Sequence, residues 1–461
     1  MSLFSKRPLA LCSLFFLFGS LLTYLVNANG IGCLWALLPF LLFFAISLLL
    51  GICKRSPLSL LAIALSFSLL LGFLIQLGYH RRRFAPWEQT APGAPHSIIG
   101  TVVEKSEGRY AEYTVDVKEL DGRPVNISLI LRTDPLEISP EIYDVLSCKV
   151  YVVTKGDPYD YSRGICGMAA PLATPTVTES SSPSLAHRLS AMRISLSERL
   201  KTGMQEEDAA LLSAIFLGER TALSDATETA FRRSGLSHVL ALSGLHLSIL
   251  AGYLLRLLHR LRVPRAATFP LLFLFLLGYT AATGFSYSLI RAAVMLLVAE
   301  LASLLRLIPD SVTSLFLAIA AIALCTPSSV SDLGLWLSFL ATLGILCANE
   351  LFPKLTKLKK RSRLLHATLF SLVLSTFALV FTLLLTTYSF GAFSLLSPFT
   401  NLILTPLIHL LLILAPFALL FPTVAGIPCG LVATACRATV TFFSGLPGYI
   451  PVDYLPFRLA M

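Results

Sequence analysis

Ala367-Thr-Leu-Phe-Ser-Leu-Val-Leu-Ser-Thr376 opens a stretch that runs to Cys436 without a single Asp, Glu, Lys or Arg. Inside it, Asn401-Leu-Ile-Leu-Thr-Pro-Leu-Ile-His-Leu410 leads straight into the wholly apolar Leu411–Leu420. Apolar runs of about 20 residues are the mark of transmembrane helices, and this region holds two or three of them. The pattern recurs outward. Leu9–Val26, Ile31–Cys53 and Pro57–Tyr79 are uncharged and long enough to cross. Gly235–Leu258, Thr268–Thr283, Leu289–Leu305, Ser311–Cys325 and Leu333–Cys347 follow, whereas Ala209–Gly218 is too short. The expected fold is a mainly α polytopic membrane protein with about eleven transmembrane helices. Composition agrees: of 461 residues, 55% are hydrophobic and 13% charged, where a soluble chain carries about 25% charged residues. A soluble enzyme, a disordered chain and a disulfide scaffold are excluded.

Basic residues orient these spans. Lys6 and Arg7 place the N-terminus in the cytosol, and Lys54 and Arg55 mark the next inner loop. No small-x-small cleavage site follows the first span and two more spans come at once, so it reads as an uncleaved anchor. Arg260, Arg262 and Arg265 mark a later inner loop; Lys354, Lys357, Lys359, Lys360, Arg361 and Arg363 mark another. Gly284–Ser288 and Thr326–Ser331, with no basic residue, fall outside. Arg81, Arg82 and Arg83 dissent, as a local exception or as an outer basic patch. The net charge of +10 is therefore mainly a topology signal.

Four regions follow: helices over 1–83, an extracytoplasmic β domain over 84–180, amphipathic or interfacial helices over 181–230, and a membrane domain over 231–461. In the second, Ser97–Val103, Glu112–Lys118, Val125–Arg132 and Val145–Val153 read as strands, with a hairpin at Asp121-Gly122. Four or five short strands suit a small OB-like barrel; an immunoglobulin-like sandwich fits the same pattern. Tyr110, Tyr113, Tyr143, Tyr151, Tyr159 and Tyr161 offer either stacking faces or ordinary strand and rim positions. Residues 96–175 hold 8 Lys/Arg against 12 Asp/Glu, so nucleic-acid contact would need a local patch of Lys105, Arg109, Arg132 and Lys149, with Arg81, Arg82 and Arg83 beside it. Cys148 and Cys166 are a possible disulfide outside the membrane or two buried thiols. Ser184–Gly203 carries apolar Leu185, Leu189, Met192, Leu196 and Leu200 at helical spacing, which fits an interfacial helix or packing on the bundle.

Polar residues concentrate in Leu217-Gly-Glu-Arg-Thr-Ala-Leu-Ser224, Phe231-Arg-Arg-Ser-Gly-Leu-Ser-His238 and Val239-Leu-Ala-Leu-Ser-Gly-Leu-His246. Ionisable groups inside a membrane are costly unless they face protein or water. On one continuous helix Ser237, Ala241, Gly244 and Ser248 share a small face, which permits close helix contact; a break at Gly244 would turn both faces toward one cavity. Arg291 and Glu300 lie within another span, and each needs a partner. Pro398 and Pro406 flank Asn401 in a helix expected to be broken. There is no CxxC pair, no metal-ligand spacing and no GxxxxGK[ST] loop; no cofactor, no metal and no enzymatic activity are expected.

These motifs resemble the ComEC family, the inner-membrane DNA channel of bacterial competence. The likeness is sharpest at Phe231–His246, close to the signature FRxxGLSHLLAISGLH. It continues through Thr283-Gly-Phe-Ser286, Arg291-Ala-Ala-Val-Met295, Leu337-Ser-Phe-Leu-Ala-Thr-Leu-Gly-Ile345 and Ser397-Pro-Phe-Thr-Asn-Leu402. The resemblance implies passage of single-stranded DNA across the inner membrane in natural transformation. It also implies an extracytoplasmic DNA receptor of helix-hairpin-helix type, and a cytosolic helicase-like motor or single-strand-binding proteins. The family's core maps onto Arg232, Arg233, His238, Ser243, Gly244, His246, Arg291, Ser338 and Asn401, as pore-lining or pore-shaping residues, none of them catalytic. Many members end in a metallo-β-lactamase-like domain; no HxHxDH cluster occurs here, so its nuclease function is expected to be absent. Where the family often has Gln before Leu-Ser-Phe, this chain has Trp336. Two other readings compete. Ala241-Leu-Ser-Gly244, with His409 on another helix, could form an intramembrane serine hydrolase. The basic and small residues also suit a transporter of another anionic polymer or lipid.

Overall fold

The structure, a computed structural model, describes residues 7–28, 57–88, 90, 94–107, 111–133, 140, 144–155, 164–178, 185–355 and 363–452. The span expected over Ile31–Cys53 lies outside them, as do Arg109 and Tyr110, Tyr143, Tyr159 and Tyr161. The chain forms two compact units, Met1–Arg188 with Ile319–Leu333, and Leu189–Ala318 with Gly334–Met461.

In the first unit, α1 (Pro8–Ala28) packs on α2 (Pro57–Arg83). Glycine makes the contact possible. A Cβ at Gly19 would lie 2.1 Å from the Leu69 carbonyl oxygen, and one at Gly72 2.1 Å from that of Phe16. With the backbones this close, Ser20 Oγ donates to the Gly72 carbonyl (3.2 Å) and Thr23 Oγ to that of Gly19 (2.9 Å). Small residues at a helix crossing are the usual route to close packing in membranes.

Directly after α2, Phe84 and Trp87 are buried in the core of a β-barrel. Its strands are β1 (Pro95–Glu107), β2 (Ala111–Leu120), β3 (Arg123–Thr133), β4 (Val145–Lys155) and β5 (Ile165–Pro171), with β6 (Thr176–Thr178) added to β4. The order β1-β2-β3-β5-β4 closes through β1–β4, and β3–β5 is parallel. This closed five-stranded barrel is consistent with an OB-like fold and not with a sandwich of two open sheets. Strand alternation fills it: Val115 and Val117, Ile127, Leu129 and Leu131, and Leu146 and Val150 all point inward at the period of two that a strand imposes. Each contributes about 1.5–3 kcal/mol of burial. β1 serves two neighbours by bending at two register shifts, after Ile99 and after Val102. Gly100 stands at the first bend, where a Cβ would lie 2.7 Å from the Asp116 carbonyl oxygen. The hairpin expected at Asp121-Gly122 is present, with φ of 52° and 75°, the left-handed pair that a two-residue turn requires.

The possible disulfide is not formed. Cys148 and Cys166 are both buried and neither is in a disulfide. The β4–β5 register pairs Gly167 with Lys155, seven residues along β4 from Cys148, or roughly 20 Å of strand, far beyond the reach of a disulfide. Burial alone pushes the Cys148 thiol up to about 11, and Cys166 Sγ lies 3.3 Å from the Arg83 carbonyl.

The second unit is helical: α3 (Leu185–Lys201, entering from Leu189), α4 (Glu206–Phe216), α5 (Asp225–Arg233), α6 (Ser237–Leu240), α7 (Gly244–Arg260), α8 (Arg265–Ala282) and α9 (Tyr287–Leu304), then α10 (Ser311–Cys325, leaving after Ala318), α11 (Leu333–Leu355, entering from Gly334), α12 (Arg363–Phe390), α13 (Ser397–Leu420) and α14 (Pro422–Ser444). Among the described residues of the whole chain, seven helices are long and apolar enough to cross a membrane: Leu61–Arg83, Arg265–Ala282, Tyr287–Leu304, Leu333–Phe352, Leu364–Phe390, Ser397–Leu420 and Pro422–Ser444. Pro8–Tyr24 and Ser311–Cys325 are shorter apolar helices. The charge-free stretch Ala367–Cys436 thus makes three helices. Helix α4, too short to cross, is almost wholly buried. Its Asp208 accepts from Thr434 Oγ (2.7 Å) and pairs with Arg437 Nε (2.8 Å), while Glu207 pairs with the same guanidinium, so α4 is tied to α14. The C-terminal half of α3 packs on this bundle through Leu196 and Leu200, and Ser197 Oγ donates to Ser213 Oγ at 2.9 Å.

Candidate functional site

The polar motifs of the second unit meet at one end of its helices. The span expected over Gly235–Leu258 is not one helix. After α6, Ala241 and Ser243 adopt extended backbone, with ψ of 128° and 159°, and α7 starts afresh at Gly244. The break therefore precedes Gly244, and the small face through Ser237, Ala241, Gly244 and Ser248 is interrupted. Non-helical backbone at membrane depth is tolerated where protein or water can satisfy it.

What packs at the break is Arg291. A Cβ on Gly244 would lie 2.8 Å from Arg291 Nη2 and 2.9 Å from Ala292 Cβ, so glycine is what lets α7 and α9 approach. Arg291 is 5% exposed. Its Nη1 donates to Thr342 Oγ (2.6 Å) and contacts Met295 Sδ (3.6 Å), while Nε has no partner. Thr342 Oγ donates to the Ser338 carbonyl (2.8 Å), and Ser338 Oγ lies 2.9 Å from Ser288 Oγ. The buried guanidinium thus lies where three helices meet and is held by a single hydroxyl, Thr342 Oγ. Among the described residues no carboxylate bridges it, and Glu300, nine residues along the same helix, is not its partner.

The other motif segments surround this point. Gly235, with φ of 79°, sits against Ser394 and Ser397, and Ser397 Oγ donates to its carbonyl at 3.3 Å. β7 (Ala392–Ser394) pairs with β8 (Tyr449–Pro451), joining the chain before α13 to the chain after α14. Gly218, with φ of 77°, stands against Leu242 and the Thr283 carbonyl. Glu219 accepts from Arg193 Nε (3.1 Å) and from Thr221 Oγ (2.8 Å), which fixes the loop after α4. His238 bonds the Gly235 backbone and remains exposed. His246 is 1% exposed with Nδ1 unpartnered. Among the described residues no group of His, Cys, Asp or Glu is placed to hold a metal ion.

The structure thus brings together Ser243, Gly244, Arg291 and Ser338, with His238 and His246 close by. Asn401 is half-buried on α13, one turn beyond Ser397, and Arg232 and Arg233 are exposed at the end of α5; these three stand outside the Arg291 network. Thr342 and Ser288 are members the sequence reading missed. A signal existed, because Thr342 follows Ser338 by one helical turn and Ser288 precedes Arg291 by three residues, spacings that share a face. Ser243 makes no hydrogen bond to a histidine among the described residues, and His409 Nδ1 lies 2.8 Å from the Thr405 carbonyl of its own helix; the nucleophile–base contact of a serine hydrolase is not formed. In the first unit, Arg83 donates to the Asn126 carbonyl (2.9 Å), to Asn126 Oδ1 (2.5 Å) and to Ser128 Oγ (2.7 Å). Arg132 pairs with Glu112 (2.5 Å), Arg81, Arg82 and Lys149 are exposed, and the Lys105 backbone stands opposite Tyr113.

Fold and site together define a polytopic membrane protein that carries a small barrel and a polar, arginine-centred helix break. A family model described as Competence protein matches residues 215–452, more than half the chain and all of the helix-break region. The chain belongs to that family. It is 30% identical over 200 residues to ComE operon protein 3 of Bacillus subtilis (strain 168), covering 43% of this chain and 25% of that protein. It is 31% identical over 228 residues to Competence protein ComA of Neisseria gonorrhoeae, covering 47% and 31%. The match spans about a quarter to a third of the length of these curated relatives. No solved structure matches.

Proposed function

We propose that this chain forms the membrane passage through which one DNA strand enters the cytosol during natural transformation. Membership of the Competence protein family supports a role in DNA uptake. The observation that carries the channel reading is the position of the family-matched motifs: they converge on a broken helix with a buried guanidinium, with the exposed His238 just ahead of the break. A half-helix N-terminus inside a membrane bundle is an anion-favouring element. The proposed topology has the N-terminus in the cytosol and the barrel and polar end facing out, in the inner membrane. The polar end holds the uncharged Gly284–Ser288, while Arg260 and Arg262 lie at the far end of α7. The proposed partners are single-stranded DNA, an outer DNA receptor and a cytosolic motor or strand-binding protein. The chain does no covalent chemistry in this role.

Deletion in a transformable host tests the reading. Labelled DNA is expected to remain bound at the cell surface while none reaches the cytosol. Photocrosslinkers at His246, Arg291 and Asn401 should capture the incoming strand. Undiminished transformation after deletion overturns the proposal.

A further inference from the structure

The buried guanidinium and the helix beside it are electrostatically incomplete. The Arg291 side chain is almost wholly buried. It has hydroxyl and thioether partners and an unpartnered Nε. Its Nη2 lies against Gly244, the first residue of the 17-residue helix α7. The Ser243 side chain does not cap that helix, and the Gly244 and Leu245 amides have no acceptor among the described residues. A helix N-terminus carries roughly half a positive charge. A cation and a positive helix end placed together repel, and moving an arginine out of water costs several kcal/mol unless it is neutralised. Both costs are lowered by one anion that touches the guanidinium and the helix start together.

We propose that this junction is a seat for a single phosphodiester of the translocating strand. Two backbone amides and a planar guanidinium suit tetrahedral phosphate oxygens. Thr342, itself tied to the Ser338 carbonyl, and Met295 hold the fork at Nη1 and leave Nε and Nη2 for the ligand. Because the seat takes only backbone charge, it passes every sequence alike. The proposal rests on the DNA reading and adds to it a residue-level ligand.

The test uses the full-length protein in lipid nanodiscs, with fluorescent twelve-residue oligothymidylate and oligodeoxyadenylate as probes across a salt series. Arg291→Gln is expected to weaken both probes by about tenfold, as for a lost hydrogen bond to a charged group. It should also reduce the slope of log affinity against log salt by about 0.7, the value for one phosphate contact on a single strand. Gly244→Ala, which keeps every charge but places a methyl against Nη2, should weaken both probes as well. If Arg291→Gln does not fold, Gly244→Ala decides. Wild-type binding with an unchanged affinity and slope in the variants overturns the seat and leaves the DNA reading standing. No binding of either probe by the wild-type protein overturns both.

Discussion

Arg83 and Arg291 are the same side chain under two different treatments. Arg83, at the end of α2, donates to Asn126 twice and to Ser128, and Ser128 in turn donates to the Asp116 carboxylate. Its network ends on a negative charge. The Arg291 network ends on the Ser338 carbonyl and the Ser288 hydroxyl, with no negative charge among the described residues. The first arrangement anchors a barrel to a helix. The second leaves a buried cation waiting for an anion. A basic residue near a membrane boundary therefore says little about function until its partners are counted, because charge already neutralised within the protein is not available to a ligand.

The largest expected effect breaks or keeps this contrast directly. Arg291→Lys preserves the charge and loses the fork; transformation frequency should fall about tenfold or more, the equivalent of a charged hydrogen bond worth 1.5–3 kcal/mol. Arg83→Lys should leave frequency within about twofold, because a structural bond of about 1 kcal/mol is absorbed by the fold. Equal losses would erase the distinction. Next comes the ion pair that ties α4 to α14. Asp208→Ala strands Arg437 with only the exposed Glu207, and thermal unfolding in detergent should show a loss of roughly 3 kcal/mol. The crossing of α1 and α2 follows. Gly72→Ala pushes a methyl into a backbone oxygen and should cost about 1–3 kcal/mol, whereas Gly78→Ala, with open space around it, should be neutral. A neutral Gly72→Ala would mean the two helices do not hold each other.

The sequence made some of this legible and hid the rest for physical reasons. Spans were readable because seventy uncharged residues have few other uses, and the Asp121-Gly122 hairpin because both residues tolerate left-handed backbone. Strand β5, Ile-Cys-Gly-Met-Ala-Ala-Pro171, has no strand-like pattern because it holds a single β-branched residue. The Ser243-Gly244 pair announced a break but set it a residue late, because the extended segment lies before the glycine. Partners were the least legible. Nothing local says that Arg291 meets Thr342, 51 residues away, or that Arg83 meets Asn126, 43 residues away. Long-range hydrogen bonds are set by packing, and a single sequence does not display packing.

The smallest effect tests whether the barrel's charges are as locally settled as Arg83 suggests. Asp121 accepts from the Ser97 amide (2.8 Å) and contacts His96 Nδ1 (2.8 Å). Partial burial works to raise its carboxyl, and the His96 and Ser97 hydrogen bonds outweigh it, holding the group below its ordinary 3.8. A carboxyl lowered on folding stabilises the fold fully above its unfolded value of about 3.9 and loses that contribution as pH falls through the folded value. The site is half-exposed, so the contribution is below about 1 kcal/mol. Hydrogen exchange at the Ser97 amide is the sensitive readout. Relative to neighbouring β1 amides, its protection should drop as pH falls below about 4 in the wild-type protein. In Asp121→Asn it should be lower at neutral pH and flat across that range. Protection that ignores both pH and the substitution would show that the β1–β4 ladder alone holds Ser97, and that the carboxylate at the turn adds nothing to the barrel.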